Sequence, residues 1–203
     1  MPDDAKQLPR ATYRSMDQGT KEEYDLVFGY LKDFQKKLPD RLLESLKTLK
    51  VSYYGEPVDR YVHSLQTATR AHRDGRDEEN VVAALLHDLG DMLASDNHSD
   101  YAAAILKAYV RPNTYWMIRQ HGLFQGYFYF HHFGLDRNMR DKYRGHPAFQ
   151  LCVDFCDKYD QMAFDPDYDT MPIEAFEPMV RRIFAREPWG AHAKLDGGYG
   201  EKY

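Results

Sequence analysis

Histidine and aspartate are the residues of this chain whose types and spacing could do chemistry. His87-Asp88 closes the segment EENVVAALLHDLG, so apolar over residues 81–86 that a helix there must be buried nearly all round until Gly90 stops it. Two adjacent ligands at such a helix end can converge on one metal ion at the mouth of a bundle. The plainer alternative is that His87 satisfies helix-end carbonyls and Asp88 makes a local hydrogen bond. Asp160 shares a helical stripe with Phe149, Val153, Cys156 and Phe164, so its carboxylate points into the core. There it must be protonated, paired or bound to a cation. His121, on the stripe Met117, His121, Phe124, Phe128, is open to the same choice between a ligand and a hydrogen-bonded core histidine. His63 falls beside Gln66 and Arg70, off the stripe Val58, Val62, Leu65, Thr69; periodicity alone puts it on the surface. His98, in DNHSDYAAAILKAYV, either ligates or simply starts a helix. His131-His132 in YFYFHHF could line a pocket.

Helices must position these groups. Thr20-Lys-Glu-Glu23 forms a capping box that opens a helix over about residues 20–37. Asp40 starts a second, and Pro57 suits the first turn of a third, over about 57–73. Asp77 caps the buried fourth. Further helices are predicted at roughly 98–109, 113–125, 147–163 and 172–185, and no segment alternates like a strand. The expectation is an all-α helical bundle over residues 20–187, with a loose extension at 1–19 and a tail at 188–203.

Composition narrows the function. Hydrophobic residues make up 43% and aromatic residues 14% of the 203 positions, enough for a sizeable core. The net charge of −5, with scattered lysines and arginines, argues against nucleic acid as a partner. No apolar run approaches a membrane span and MPDDAKQLPR has no signal-peptide character, so a cytoplasmic protein is expected, with no membrane partner. Cys152 and Cys156 read as small core residues.

The order His63, His87-Asp88, Asp160 resembles the HD superfamily of metal-dependent phosphohydrolases, whose ligands come from about four helices of one bundle. VHSLQTATRAHR followed by LLHDLGDML is similar to segments of myo-inositol oxygenase, as are NHSDYA, YWMIRQH and DKYDQMAF; the resemblance covers roughly residues 52–165. It implies an HD-domain bundle holding two irons (Fe2+/Fe3+), with O2 as co-substrate. His63, His87, Asp88 and Asp160 would hold one iron, and Asp88, His98 and His121 the other. Ligand types alone also admit manganese or zinc. Tyr53-Tyr54-Gly55-Glu56-Pro57-Val58 is similar to a segment of small HD oxygenases that cleave the carbon–phosphorus bond of hydroxylated organophosphonates. This implies that Tyr53 and Glu56 act as a catalytic lid. The local alternative is an ordinary turn in which Glu56 caps the next helix.

Two departures bear on the substrate. Asp91 stands where the inositol enzyme has a lysine, and Gln125 where the phosphonate enzymes have one; both positions are substrate contacts in those families. Asp91 and the aromatic residues 127–133 would suit a cationic group. The resemblance thus implies a non-haem di-iron oxygenase taking hydrogen from a hydroxyl-bearing carbon of a small molecule and cleaving the adjacent C–P or C–C bond; a monomer is expected. The rivals are a phosphohydrolase, against which the lack of an arginine or lysine cluster beside His87-Asp88 counts, and a non-catalytic ligand-binding module.

Overall fold

The computed structural model describes residues 8–193; the GGYGEKY segment expected as a tail lies outside the described residues. Among these, every regular element is helical and no strand occurs, as expected of an all-α chain. The chain divides between Arg41 and Leu42 into two compact units.

The first unit is built on α1 (Lys21–Lys36), opened by the capping box: Thr20 Oγ1 accepts from Glu23 N, and Glu23 reaches back to the Thr20 amide. Glu23 also accepts from the amide and hydroxyl of Thr12, and Tyr30 donates to Pro9 O. Residues 9–19, which sequence reads as loose, are thus tied to α1 by specific hydrogen bonds. α2 (Leu38–Thr48) begins two residues before Asp40.

The second unit carries the core. α3 (Arg60–Arg73) lies along α4 (Glu78–Leu86), α5 (His98–Leu106) along α6 (Pro112–Tyr129), α6 against α7 (Phe149–Phe155), and α4 against α8 (Glu177–Phe184). Asp77 caps α4 by accepting from Asn80 N. Residues 81–90 are all buried, as an apolar run at the centre of a bundle requires. Cys152 and Cys156 are free and buried.

The structure corrects several details. Asp59, not Glu56, caps α3 by accepting from Val62 N, so Pro57 precedes the helix instead of occupying its first turn. The helix expected over 147–163 ends at Phe155 and passes into a π turn, Cys156–Asp160. A larger correction concerns His63, which is fully buried. α3 is enclosed on nearly all sides because its polar residues satisfy themselves. Ser64, Thr67 and Thr69 donate to the carbonyls of Arg60, His63 and Leu65, and Gln66 donates to Asp165 O. Hydrogen-bonded hydroxyls and amides are inexpensive to bury, so the apolar stripe no longer marks the buried face.

The candidate metal centre

Five elements bring six donor side chains to one place. His63 lies one turn into α3; His87 and Asp88 follow the last residue of α4; His98 opens α5; His121 stands midway along α6; Asp160 ends the π turn. All are buried except His98, which is half-buried. The π turn, with Gln161 N bonding back to Cys156 O at 3.0 Å, sends the neighbours Tyr159 and Asp160 to different partners. Such one-turn widenings recur at functional sites.

The backbone sets the state of every imidazole. His63 Nδ1 lies 3.1 Å from Ala163 O, His87 Nδ1 2.7 Å from Ala84 O, His98 Nδ1 3.0 Å from Ser95 O, and His121 Nδ1 2.6 Å from Ile118 O. A carbonyl can only accept, so each Nδ1 carries a hydrogen and each Nε2 is left to turn inward.

Those inward nitrogens meet in two sets that share one carboxylate. In the first, His63 Nε2 and His87 Nε2 are 3.1 Å apart, and His63 Nε2 is 3.1 Å from Asp160 Oδ1 and 3.3 Å from Asp88 Oδ2. In the second, His98 Nε2 and His121 Nε2 are 3.3 Å apart, and they lie 3.6 and 3.3 Å from Asp88 Oδ1. Asp88 therefore gives one oxygen to each set.

Two lone pairs facing each other at hydrogen-bond distance repel unless positive charge lies between them. Asp160 Oδ2 is moreover buried with no hydrogen-bond partner. Imidazole nitrogens with anchored Nδ1–H groups, two carboxylates and an unsatisfied carboxylate oxygen together fit a divalent metal, and these groups cluster closely enough to hold one. The electrostatics agree. Burial opposes charge on His87, but Asp88 and Asp160 outweigh it and hold its pKa well above the ordinary imidazole value. Burial would raise the Asp160 pKa; His87 foremost, then hydrogen bonds from His63 and His87, hold it well below the usual carboxylate range. The centre attracts cations.

Arg60 is the residue that sequence reasoning missed. Its Nη1 lies 3.5 Å from Asp88 Oδ2, its Nε 3.2 Å from Asp91 Oδ2 and its Nη2 3.3 Å from Glu56 Oε1. The guanidinium also stands 5.5 Å from the Tyr54 ring and 5.7 Å from that of Phe164. A single basic group therefore stands beside the His87-Asp88 pair, where no cluster of arginines and lysines was expected. The available signal was its spacing: Arg60 precedes His63 by three residues, and so shares its helix face.

The other expected site residues fare differently. Glu56 reaches the centre's edge through Arg60, whereas Tyr53 is 63% exposed. Asp91 is buried, but its carboxylate is engaged by Arg60 and lies 3.6 Å from His98 Nδ1; it is not a free anion awaiting a cationic ligand. Gln125, one turn beyond His121, keeps a buried Oε1 with no partner. In the aromatic run, Tyr127 is already covered by Arg137 and Arg140, and His131 and His132 are exposed and lie against each other. Burial, then the Asp160 charge, raises the Tyr129 pKa.

An all-helical bundle that gathers histidines and aspartates from five elements into a metal-competent centre defines a class of metal-dependent HD enzyme. Residues 60–162, just over half of the 203-residue chain, match the HD domain family, and the chain belongs to it. A 38-residue stretch is 55% identical to a 1-hydroxy-2-(trimethylamino)ethylphosphonate dioxygenase, glycine-betaine-forming, of Leisingera caerulea. That match covers 19% of this chain and 19% of the enzyme, so the chain spans about a fifth of the relative's length. Among the described residues, no helix is long and apolar enough to cross a membrane.

Proposed function

We propose that this chain is a di-iron oxygenase. It would use O2 to remove hydrogen from a hydroxyl-bearing carbon of a small polar substrate and cleave the adjacent C–P or C–C bond. The substrate favoured is a hydroxylated organophosphonate, with an amino or trimethylammonium group in keeping with the substrate named for the Leisingera relative. The observation that carries this reading is the division of the Asp88 carboxylate between the His63/His87/Asp160 set and the His98/His121 set, which suits two metal ions sharing one bridging ligand.

Iron bound by these six residues would supply the activation of dioxygen, the electrons that reduce it coming in net from the substrate's cleaved bonds. The protein's own contribution is positional. The four carbonyls fix the imidazole tautomers, so the nitrogens need no reorganisation to ligate. Arg60 balances the charge of Asp88 and Asp91 and, through Glu56, connects the centre to the loop preceding α3. This loop is the segment whose movement would admit substrate and then exclude water, with Glu56 and Tyr53 as the expected lid residues. Because Asp91 is paired with Arg60, a trimethylammonium group would depend on aromatic faces such as those of Tyr54 and Tyr129.

Arg60 also favours a second reading, hydrolysis of a phosphate ester, since a guanidinium beside the centre could hold a phosphate oxygen. One experiment separates the two. Protein from iron-supplemented cells is analysed for metal, examined by EPR after partial oxidation, and assayed for O2 uptake with hydroxylated phosphonates, amino alcohols and polyols. About two irons per chain, a mixed-valence signal and substrate-dependent O2 uptake are expected. A single non-iron metal with oxygen-independent turnover of phosphate esters would sink the oxygenase and support the hydrolase.

A further inference from the structure

The 3-10 turn Met139–Tyr143 and the residues before it lie against α6. They set two guanidinium groups on one ring. Arg140 Cζ is 3.7 Å and Arg137 Cζ 4.1 Å from the centroid of Tyr127. Both guanidinium groups thus stand within cation–π distance of the same ring.

Two of their donors lack acceptors. Arg137 Nε and Arg140 Nη1 are buried with no hydrogen-bond partner. Among the described residues, the neighbouring acids are engaged by other groups: Asp141 pairs with Arg144 at 2.9 Å, and Asp136 Oδ1 accepts from Asn138 N at 2.8 Å. The surroundings are electropositive as well. Burial, then His132 and Arg137, hold the His131 pKa below its ordinary value. Two like charges sharing a ring, each with an unsatisfied buried donor, are costly unless an anion completes the arrangement.

We propose that Tyr127, Arg137 and Arg140 form a binding site for a tetrahedral oxyanion, a phosphate or phosphonate group. A dianion balances both guanidinia where a carboxylate balances one, and its oxygens match the fork geometry of arginine. The site adjoins the metal centre without sharing its residues. Tyr127 lies on the same helix as His121, six residues further along α6.

The test is calorimetric titration of the metal-loaded protein in phosphate-free buffer with inorganic phosphate and, separately, methylphosphonate. It is repeated on Arg137→Gln and Arg140→Gln. Both anions should bind the parent protein, and each substitution should weaken binding at least tenfold. In phosphate-free buffer the variants should melt at or above the parent's temperature, because a like-charge contact has been relieved; phosphate should raise the melting temperature of the parent alone. Equal binding to parent and variants, or no binding to the parent, overturns the proposal. A lower melting temperature for both variants without phosphate also overturns it, since it marks a purely structural pair.

The source of the anion is read from turnover, the one arm that rests on the oxygenase reading. Phosphate that raises KM for a hydroxylated phosphonate in the parent but not in Arg140→Gln identifies the substrate's own anionic end. Phosphate that binds without changing KM identifies a separate anion.

Discussion

His63 and His87 approach each other to 3.1 Å through their Nε2 atoms while their Nδ1 atoms donate to carbonyls from separate parts of the chain, Ala163 and Ala84. The backbone therefore decides the tautomer of both rings before any ligand arrives. Two nitrogens aimed at one point by independent anchors make a preorganised receptor for a cation. The same arrangement recurs at His98 and His121, and Asp88 joins the two.

Replacing His98 separates the sets. Its side chain is 27% exposed, so His98→Ala should cost about 1 kcal/mol or less in folding stability. It should also halve the metal content measured by elemental analysis. Unchanged metal content accompanied by a large fall in melting temperature would return His98 to a structural role.

Gly90 tests the same set through the backbone. A Cβ added there would stand 2.7 Å from His98 Cα and 2.8 Å from His98 O, and backbone atoms cannot rotate aside. Gly90→Ala should destabilise the fold by about 1–3 kcal/mol and reproduce the metal loss of His98→Ala. A variant with full metal content and parental stability would show that α5 has room to move.

Tyr159 anchors the π turn beside Asp160. Its hydroxyl donates to Asp74 and accepts from Arg76 Nε at 2.6 Å, tying the turn to the junction of α3 and α4. Tyr159→Phe should cost about 1–2 kcal/mol in urea unfolding and weaken metal binding at the His63/His87/Asp160 set more than at the other, as read by chelator competition. Parental affinity at both sets would detach Tyr159 from the positioning of Asp160.

Glu79 gives a pH dependence whose sign is fixed by its partners. Burial would raise its carboxyl pKa, but Arg186, Arg111 and Thr114 lower it below the ordinary 4.5. A carboxylate favoured in the folded state contributes stability that is complete above the unfolded pKa and lost as pH falls through the folded one. The parent should thus lose stability steadily below about pH 4.5. Glu79→Gln should be less stable by about 1–2 kcal/mol at pH 7, since it weakens the bonds that buried Glu79 accepts from Arg111, Thr114 and Arg186, and should show a flatter acid limb. Identical acid limbs in thermal melts would assign the loss to other carboxylates.

Much of the bundle was legible because helix signals are local. Thr20 and Asp77 cap where their side chains predict, and the run ending in His87-Asp88 is too apolar to lie anywhere but the centre. The stripes through His121 and Asp160 point inward for the same reason: a helix with a continuous apolar face must bury it. The gathering of the six expected donors was legible only through resemblance, since spacing by itself leaves His63 on the surface and His98 undecided.

By itself, then, the order of residues determined what depends on neighbours within a turn or two: helix caps, the buried run and the inward direction of His121 and Asp160. Tertiary structure decided the burial of His63, since Gln66 found a partner in Asp165 a hundred residues away. It likewise decided the capture of Asp91 by Arg60 and the assignment of one Asp88 oxygen to each histidine pair. Those relations depend on distances between helices, and such distances are set only when distant segments compete for the same buried space and the same hydrogen-bond partners.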